Sequence, residues 1–105
     1  MYVVQKMAPP PVLQLGEYVI TRNDGTTARC KAYDAPCPFG IYICTIDPGT
    51  MLGPIEEVLD VGDYVTILVR GYYINVWAAS NQYSFAFKVP SSTMSWYRSL
   101  GWQDE

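Results

Sequence analysis

The chain contains no histidine. That removes the commonest base at neutral pH, so neither a Ser–His nor a Cys–His nucleophile pair can be assembled. A glycine-rich phosphate cradle is missing as well. Without a nucleophile or phosphate motif, a non-enzymatic protein with no catalytic residues and no cofactor is expected. Charge is also scarce: Asp, Glu, Lys and Arg make up 16% of the residues, against roughly 25% in an average soluble protein. Seven basic and ten acidic residues give a formal net charge of −3, and Lys6, Arg22, Arg29, Lys31, Arg70, Lys88 and Arg98 are scattered along the chain. Phosphate neutralisation needs a clustered positive surface, so no nucleic-acid partner is expected. No apolar run reaches the length of a membrane span, and residues 1–7 are too short and too polar for a signal peptide. Neither a membrane partner nor secretion is therefore expected.

The three cysteines, Cys30, Cys37 and Cys44, are odd in number, which argues against a complete disulfide framework. A zinc site would need closer paired spacings and further Cys or His ligands, so no metal is expected. Small buried thiols in a reducing compartment fit the pattern best. The carboxylates Glu56, Glu57, Asp60 and Asp63 cluster before and within a turn. A calcium loop would carry more oxygen ligands at regular spacing, whereas turn aspartates ordinarily bond their own backbone.

What is present is β-forming and aromatic. The chain has 105 residues, half of them apolar, enough for one domain with its own core. Aromatics reach 14%, with nine tyrosines. Either another chain covers part of the surface, or a small barrel places these rings in its own core.

Residues 1–11 read as an arm: Tyr2-Val3-Val4 can form an edge strand, and Pro9-Pro10-Pro11 forces an extended segment. Tyr2 and Val3 are the residues that would add to a neighbour's sheet, with Pro9, Pro10 and Pro11 as the stiff spacer. Residues 12–105 form a single domain in this reading. Glu17–Arg22 is rich in β-formers, Asn23-Asp24-Gly25 is a hairpin turn, and the return strand 26–32 alternates, sending Ala28, Cys30 and Ala32 inward. Two prolines and a glycine make 33–40 an irregular loop. Ile41–Ile46 is apolar on both faces and is expected to be nearly buried or covered by the arm. Asp47-Pro48-Gly49-Thr50 is a turn, and a kink is expected at Gly53-Pro54.

The organising stretch is 59–78, an acidic turn followed by two strands joined at Arg70-Gly71. Alternation in the second strand places Tyr73, Asn75 and Trp77 on one face and Tyr72, Ile74, Val76 and Ala78 on the other. With Ile74 and Val76 inside, Tyr73 and Trp77 are expected at the surface. Residues 83–89 alternate as well, with Tyr83, Phe85, Phe87 and Val89 closing the core. Past Pro90, hydroxyl residues and apolar residues at three- and four-residue steps predict a short C-terminal helix or a single turn, stopped at Gly101. Rigid aromatics with a polar edge suit recognition surfaces. The candidate binding surface is accordingly Tyr33, Phe39, Tyr73, Trp77, Trp96 and Tyr97.

Gly25-Thr26-Thr27-Ala28-Arg29, Asp47-Pro48-Gly49-Thr50, Val61-Gly62-Asp63-Tyr64-Val65-Thr66-Ile67-Leu68 and Tyr73-Ile74-Asn75-Val76-Trp77 together resemble a bacterial SH3-like domain over about residues 17–89. The resemblance implies an all-β, half-open SH3-like barrel used for binding: cell-wall peptide or proline-rich recognition, or a structural role in viral and secretion machines. The expected function is a protein–protein binding or assembly module, in concrete form a phage-type virion or tail accessory protein. Its partners would be protein subunits, in a homo-oligomer or larger assembly, and its location the cytoplasm of the producing cell or the virion. A cell-wall recognition module and a small acidic inhibitor of a host protein are the alternatives.

Overall fold

The computed structural model describes residues 10–23, 25, 29–36, 38–81 and 83–101. Among them, nine strands and one helix follow in chain order: β1 (Val19–Thr21), β2 (Lys31–Tyr33), β3 (Tyr42–Thr45), β4 (Met51–Leu52), β5 (Glu57–Asp60), β6 (Tyr64–Val69), β7 (Tyr72–Ala78), β8 (Tyr83–Ser84), β9 (Ala86–Lys88) and α1 (Ser91–Ser99). A 3-10 turn, Ala79–Asn81, separates β7 from β8. The larger sheet runs β3-β2-β7-β6-β5, with β8 added to the far end of β7, and the smaller runs β4-β1-β9. All pairings are antiparallel. The protein is thus all-β apart from one short helix, and among the described residues no strand pairing closes the two sheets on each other.

The β6–β7 hairpin closes through Arg70 (φ 53°) and Gly71 (φ 84°). Two successive positive φ angles give the tight turn whose twist matches that of the flanking strands. Further along, the register shifts: Val65 pairs with Trp77 but Thr66 with Asn75, so Val76 is an extra residue in β7. The buried Asn75 amide bridges this bulge, its nitrogen donating to the Val65 carbonyl at 3.1 Å and to the Trp77 carbonyl at 2.8 Å. Strict alternation fails here, and Ile74 through Ala78 are all buried between β2, β6 and β8. The expectation of a surface Trp77 is corrected by this geometry: its side chain is 3% exposed and belongs to the core.

A second break in alternation lies at Phe85, between β8 and β9. Its N–H donates to the Val76 carbonyl of the larger sheet at 2.8 Å, and its carbonyl accepts from Arg22 N–H of the smaller side at 2.9 Å. The chain changes sheets at this residue, so its inward face is reset. Phe85, Ala86 and Val89 are buried, while Phe87, expected inside, is 46% exposed with the Arg22 guanidinium 5.1 Å from its ring centroid. One apolar core receives both sheets, with Val19, Leu52 and Ala86 packed in the same cluster as Val65, Ile67 and Val76.

The turn at 47–50 is fixed to β1 by a polar knot around buried Thr21. Thr21 Oγ1 donates to the Asp47 carbonyl at 2.6 Å and accepts from Thr50 N–H at 2.8 Å, while Gly49 N–H donates to the Thr21 carbonyl at 3.0 Å. The expected kink at Gly53-Pro54 is present, as a cis peptide, and a Cβ at Gly53 would overlap the Tyr18 ring. Asp60 Oδ1 accepts from Gly62 N–H at 2.9 Å, which is turn chemistry as expected.

Three further expectations are revised. The strands on either side of Asn23-Asp24-Gly25 were expected to pair as a hairpin, yet β1 lies between β4 and β9 and β2 between β3 and β7, in different sheets. Ile41–Ile46 was expected to be nearly buried or covered by the arm; among the described residues β3 is the outer strand of the larger sheet, with Ile41 72%, Tyr42 53% and Ile43 44% exposed, and cover by the arm lies outside those residues. The C-terminal segment is a helix of nine residues stopped at Gly101 (φ 91°), but its N-cap is Pro90 and lacks a side-chain cap. The hydroxyls bond back to the helix's own carbonyls at its surface instead, Ser95 Oγ donating to the Ser91 carbonyl and Ser99 Oγ to that of Trp96. Met94 anchors the helix on Tyr18 and Val89. The expected arm contacts Tyr2, Val3 and Pro9 lie outside the described residues, as do Cys37 and the inward placement of Ala28; Pro10 is exposed and Pro11 half-buried.

Asn75→Ala removes the two hydrogen bonds that the amide donates inside the core and should cost about 2–4 kcal/mol. Phe87→Ala removes an exposed ring and should cost less than about 1 kcal/mol. Urea unfolding of the two variants checks the contrast, and equal losses would contradict the placement of these residues.

Candidate functional site

Five of the six aromatic candidates reach the surface to some degree, and they divide between two places. Tyr33 and Tyr73 are half-buried neighbours in register on β2 and β7. Tyr33 meets Tyr42 edge-on, with ring centroids 6.2 Å apart. Trp96, 57% exposed, and half-buried Tyr97 sit on α1, their rings 5.1 Å apart. Trp77 takes no part.

Phe39 is the most exposed large apolar residue described, at 87%. Its loop is closed at the base by reciprocal bonds: Ile41 N–H donates to Asp34 Oδ1 at 2.6 Å, and Asp34 N–H to the Ile41 carbonyl at 3.2 Å. Phe39 N–H donates to the Pro36 carbonyl at 2.9 Å, and a Cβ at Gly40 would overlap Tyr33 and the Ala35 carbonyl. Only glycine permits that close approach. The loop therefore presents Phe39 beside the start of β3, where Ile41, Tyr42 and Ile43 extend the apolar surface.

These three residues were not named as a surface from the sequence, which took their unbroken apolarity as a sign of burial or of cover by the arm. The usable signal was the absence of any charge from Ile41 to Ile46. Edge strands of soluble proteins ordinarily carry Lys, Glu or Pro, and the opposite edge, β5, does so with exposed Glu57 and Asp60. On β3, Tyr42 Oη and Thr45 Oγ1 bond each other at 2.6 Å, and Lys31 Nζ lies 5.8 Å from the Tyr42 ring centroid.

A cleft of about 210 Å³ lies between Glu17-Tyr18 and α1, lined also by Val89, Met94 and Arg98. Cavities that take small organic ligands are larger, roughly 300–1,000 Å³. Its polar groups are engaged in the fold. Glu17 binds Lys88 Nζ at 2.6 Å and Gln14 N–H at 2.6 Å, and the Arg98 guanidinium lies 5.8 Å from the Tyr18 ring centroid. The hydrogen bond from Lys88 holds the Glu17 carboxyl below its ordinary value of 4.5. Among the described residues no group of three or more His, Cys, Asp or Glu side chains is gathered to hold a metal, and no helix is long and apolar enough to cross a membrane.

The two described thiols differ sharply. Cys30 is buried, its Sγ 3.3 Å from the Asn75 carbonyl, and burial pushes its pKa up to about 12 against the weaker opposing pull of the Lys31 N–H. Cys44 is exposed on β3.

Comparison of the chain with protein-family models, with curated proteins and with solved structures finds no match. The surface at β3 is thus read on its own chemistry, which offers apolar side chains, a strand edge and the Cys44 thiol.

Alkylation at neutral pH, mapped by peptide mass spectrometry, should modify Cys44 in the native protein and Cys30 only after unfolding; native labelling of Cys30 would contradict its burial. Glu17 supplies a second expectation. Because its folded pKa is lowered, its contribution to stability is present above pH 4.5 and is lost as pH falls through the folded value. Lys88 is half exposed, so screening keeps the effect small. Lys88→Met should flatten the acid limb of stability measured by urea unfolding between neutral and acid pH, and an unchanged limb would remove the pair from the account.

Proposed function

We propose that this chain is a non-enzymatic protein–protein binding or assembly module that engages its partner through the β3 edge and the Phe39 loop. The observation that carries this reading is the asymmetry of the larger sheet: β5 is guarded by Glu57 and Asp60, while β3 offers exposed Ile41, Tyr42 and Ile43 and no charge. An edge without charge is a template for an added strand on either side of the bulge at Ile43, with backbone hydrogen bonds supplying affinity and the flanking side chains supplying selection. A preformed aromatic beside it buries area at small entropic cost.

The half-open SH3-like barrel belongs to the same reading. It is supported by the shared core of the two sheets and by the sheet-changing corner at Phe85. Partners are taken to be protein subunits, as in a phage-type virion or tail, with the segment Tyr2-Val3-Val4 as a further strand able to add to such an edge.

Amide hydrogen exchange over residues 41–45 tests the reading. Protection is expected to rise when a peptide of residues 1–8 is added or when the protein is concentrated, and Ile43→Lys should abolish the rise. Exchange that stays unchanged under both conditions would overturn it.

A further inference from the structure

We infer that the outward face of the larger sheet is the seat of this chain's own residues 1–9, laid across the strands within one molecule. Register defines the face. Residues directly opposite in an antiparallel ladder point to the same side of the sheet. Leu68 pairs with Glu57 and Tyr73, Tyr73 with Tyr33, and Tyr33 with Tyr42, so the five form one row across five strands. Their chain neighbours Ile67, Val69, Ile74 and Ala32 are buried in the core, and the row therefore looks away from it. Leu68, Tyr73 and Tyr33 are half-buried and Tyr42 is exposed, which makes an apolar strip with exposed Glu57 at one end.

The chain enters the fold beside that acidic end. Gly16 N–H donates to the Ile55 carbonyl at 2.8 Å, the next residue, Glu56, donates to the Leu68 carbonyl at 2.9 Å, and Leu13 is fixed in the core. Pro10, three residues before Leu13, is exposed. Adjacent strands stand about 4.8 Å apart, so Leu68 to Tyr42 is a span of about 14 Å. Residues 1–9 lie outside the described residues; as an extended segment of about 3.1 Å per residue they reach about 28 Å, enough for the approach and the span.

Charge sets the direction. Lys6 is the one charged side chain of residues 1–9 and lies four positions before Pro10, whereas Tyr2-Val3-Val4 lies farther out. An arm leaving beside Leu68 brings Lys6 level with Glu57 and carries the apolar residues on toward Tyr33 and Tyr42. The far end of the strip holds Lys31, its Nζ 5.8 Å from the Tyr42 ring centroid, and a second cation is disfavoured there. Because the arm is tethered, its effective concentration is on the order of 1 mM, so one ion pair and a few apolar contacts suffice to seat it. The seat uses the face of the sheet and leaves the β3 edge open, so it stands or falls separately from the binding proposal above.

The experiment is limited trypsin digestion of the folded full chain, with cleavage after Lys6 followed by mass spectrometry. Lys6 should be cut at least about tenfold more slowly than in a free peptide of residues 1–11, since the protease reaches only the released arm. The protection should be the same at every protein concentration; protection that fades on dilution would assign the seat to a second copy's arm and overturn the inference. Tyr73→Ser should restore fast cutting, with urea unfolding used to verify that the variant is folded. So should the double substitution Val3→Ser and Val4→Ser, which leaves residues 10–101 unaltered. Nuclear Overhauser contacts from the Val3 or Val4 methyls to the rings of Tyr33, Tyr42 or Tyr73 are expected in the full chain. Cutting as fast as in the free peptide, protection that neither variant relieves, or a protected arm without those contacts would each overturn the inference.

Discussion

The bulge at Val76 is the constraint on which the rest of the molecule depends. An extra residue in a central strand leaves carbonyls out of ladder register, and a buried carbonyl without a donor is costly. Asn75 solves this locally, its amide nitrogen reaching Val65 and Trp77 across the irregularity. The Val76 carbonyl is satisfied from elsewhere, by the N–H of Phe85. Phe85 in turn offers its own carbonyl to Arg22, beyond the end of β1. One bulge thus supplies the connection through which two hydrogen-bonded sheets share a core, and the Cys30 thiol completes the surroundings by lying against the Asn75 carbonyl.

Around that joint the smaller sheet is held by polar contacts as well as apolar ones. Thr21 is buried at the end of β1, yet its hydroxyl both donates and accepts, which makes its burial tolerable. The same contacts fix the 47–50 turn and hence the entry into β4. At the other end of β1, Tyr18 packs with Val89 and Met94, so the helix is docked by apolar contact even though its N-terminus lacks a side-chain cap.

Much of this was legible in the residues, and each failure has a physical cause. The Arg70-Gly71 corner, the 47–50 turn, the inward Cys30 and the Gly101 stop were read correctly, because each rests on local backbone preference or on a short alternation such as that over residues 29–32. Trp77 and Phe87 were misplaced because alternation was carried through a bulge and through a change of sheet. Neither event leaves a mark in the period-two pattern itself. Ile41–Ile46 failed differently: an apolar run states a need for cover without saying whether the cover comes from the same chain. For the candidate surface, Phe39 and Tyr33 were identified from sequence, whereas Ile41, Tyr42 and Ile43 emerged only once β3 was known to be an outer strand.

The make-up of the smaller sheet has a consequence for synthesis. β6 and β7 are contiguous and can pair as soon as both exist, whereas β1 lies between β4 and β9, drawn from distant parts of the chain. Contacts of such separation form late, because a long loop must be closed first. During translation β1 can meet β4 early, but β9 and α1 come much later in the sequence, so Val19 and Tyr18 keep an uncovered flank until residues 86–94 have been made. Until then that apolar flank is open to any other apolar surface it meets.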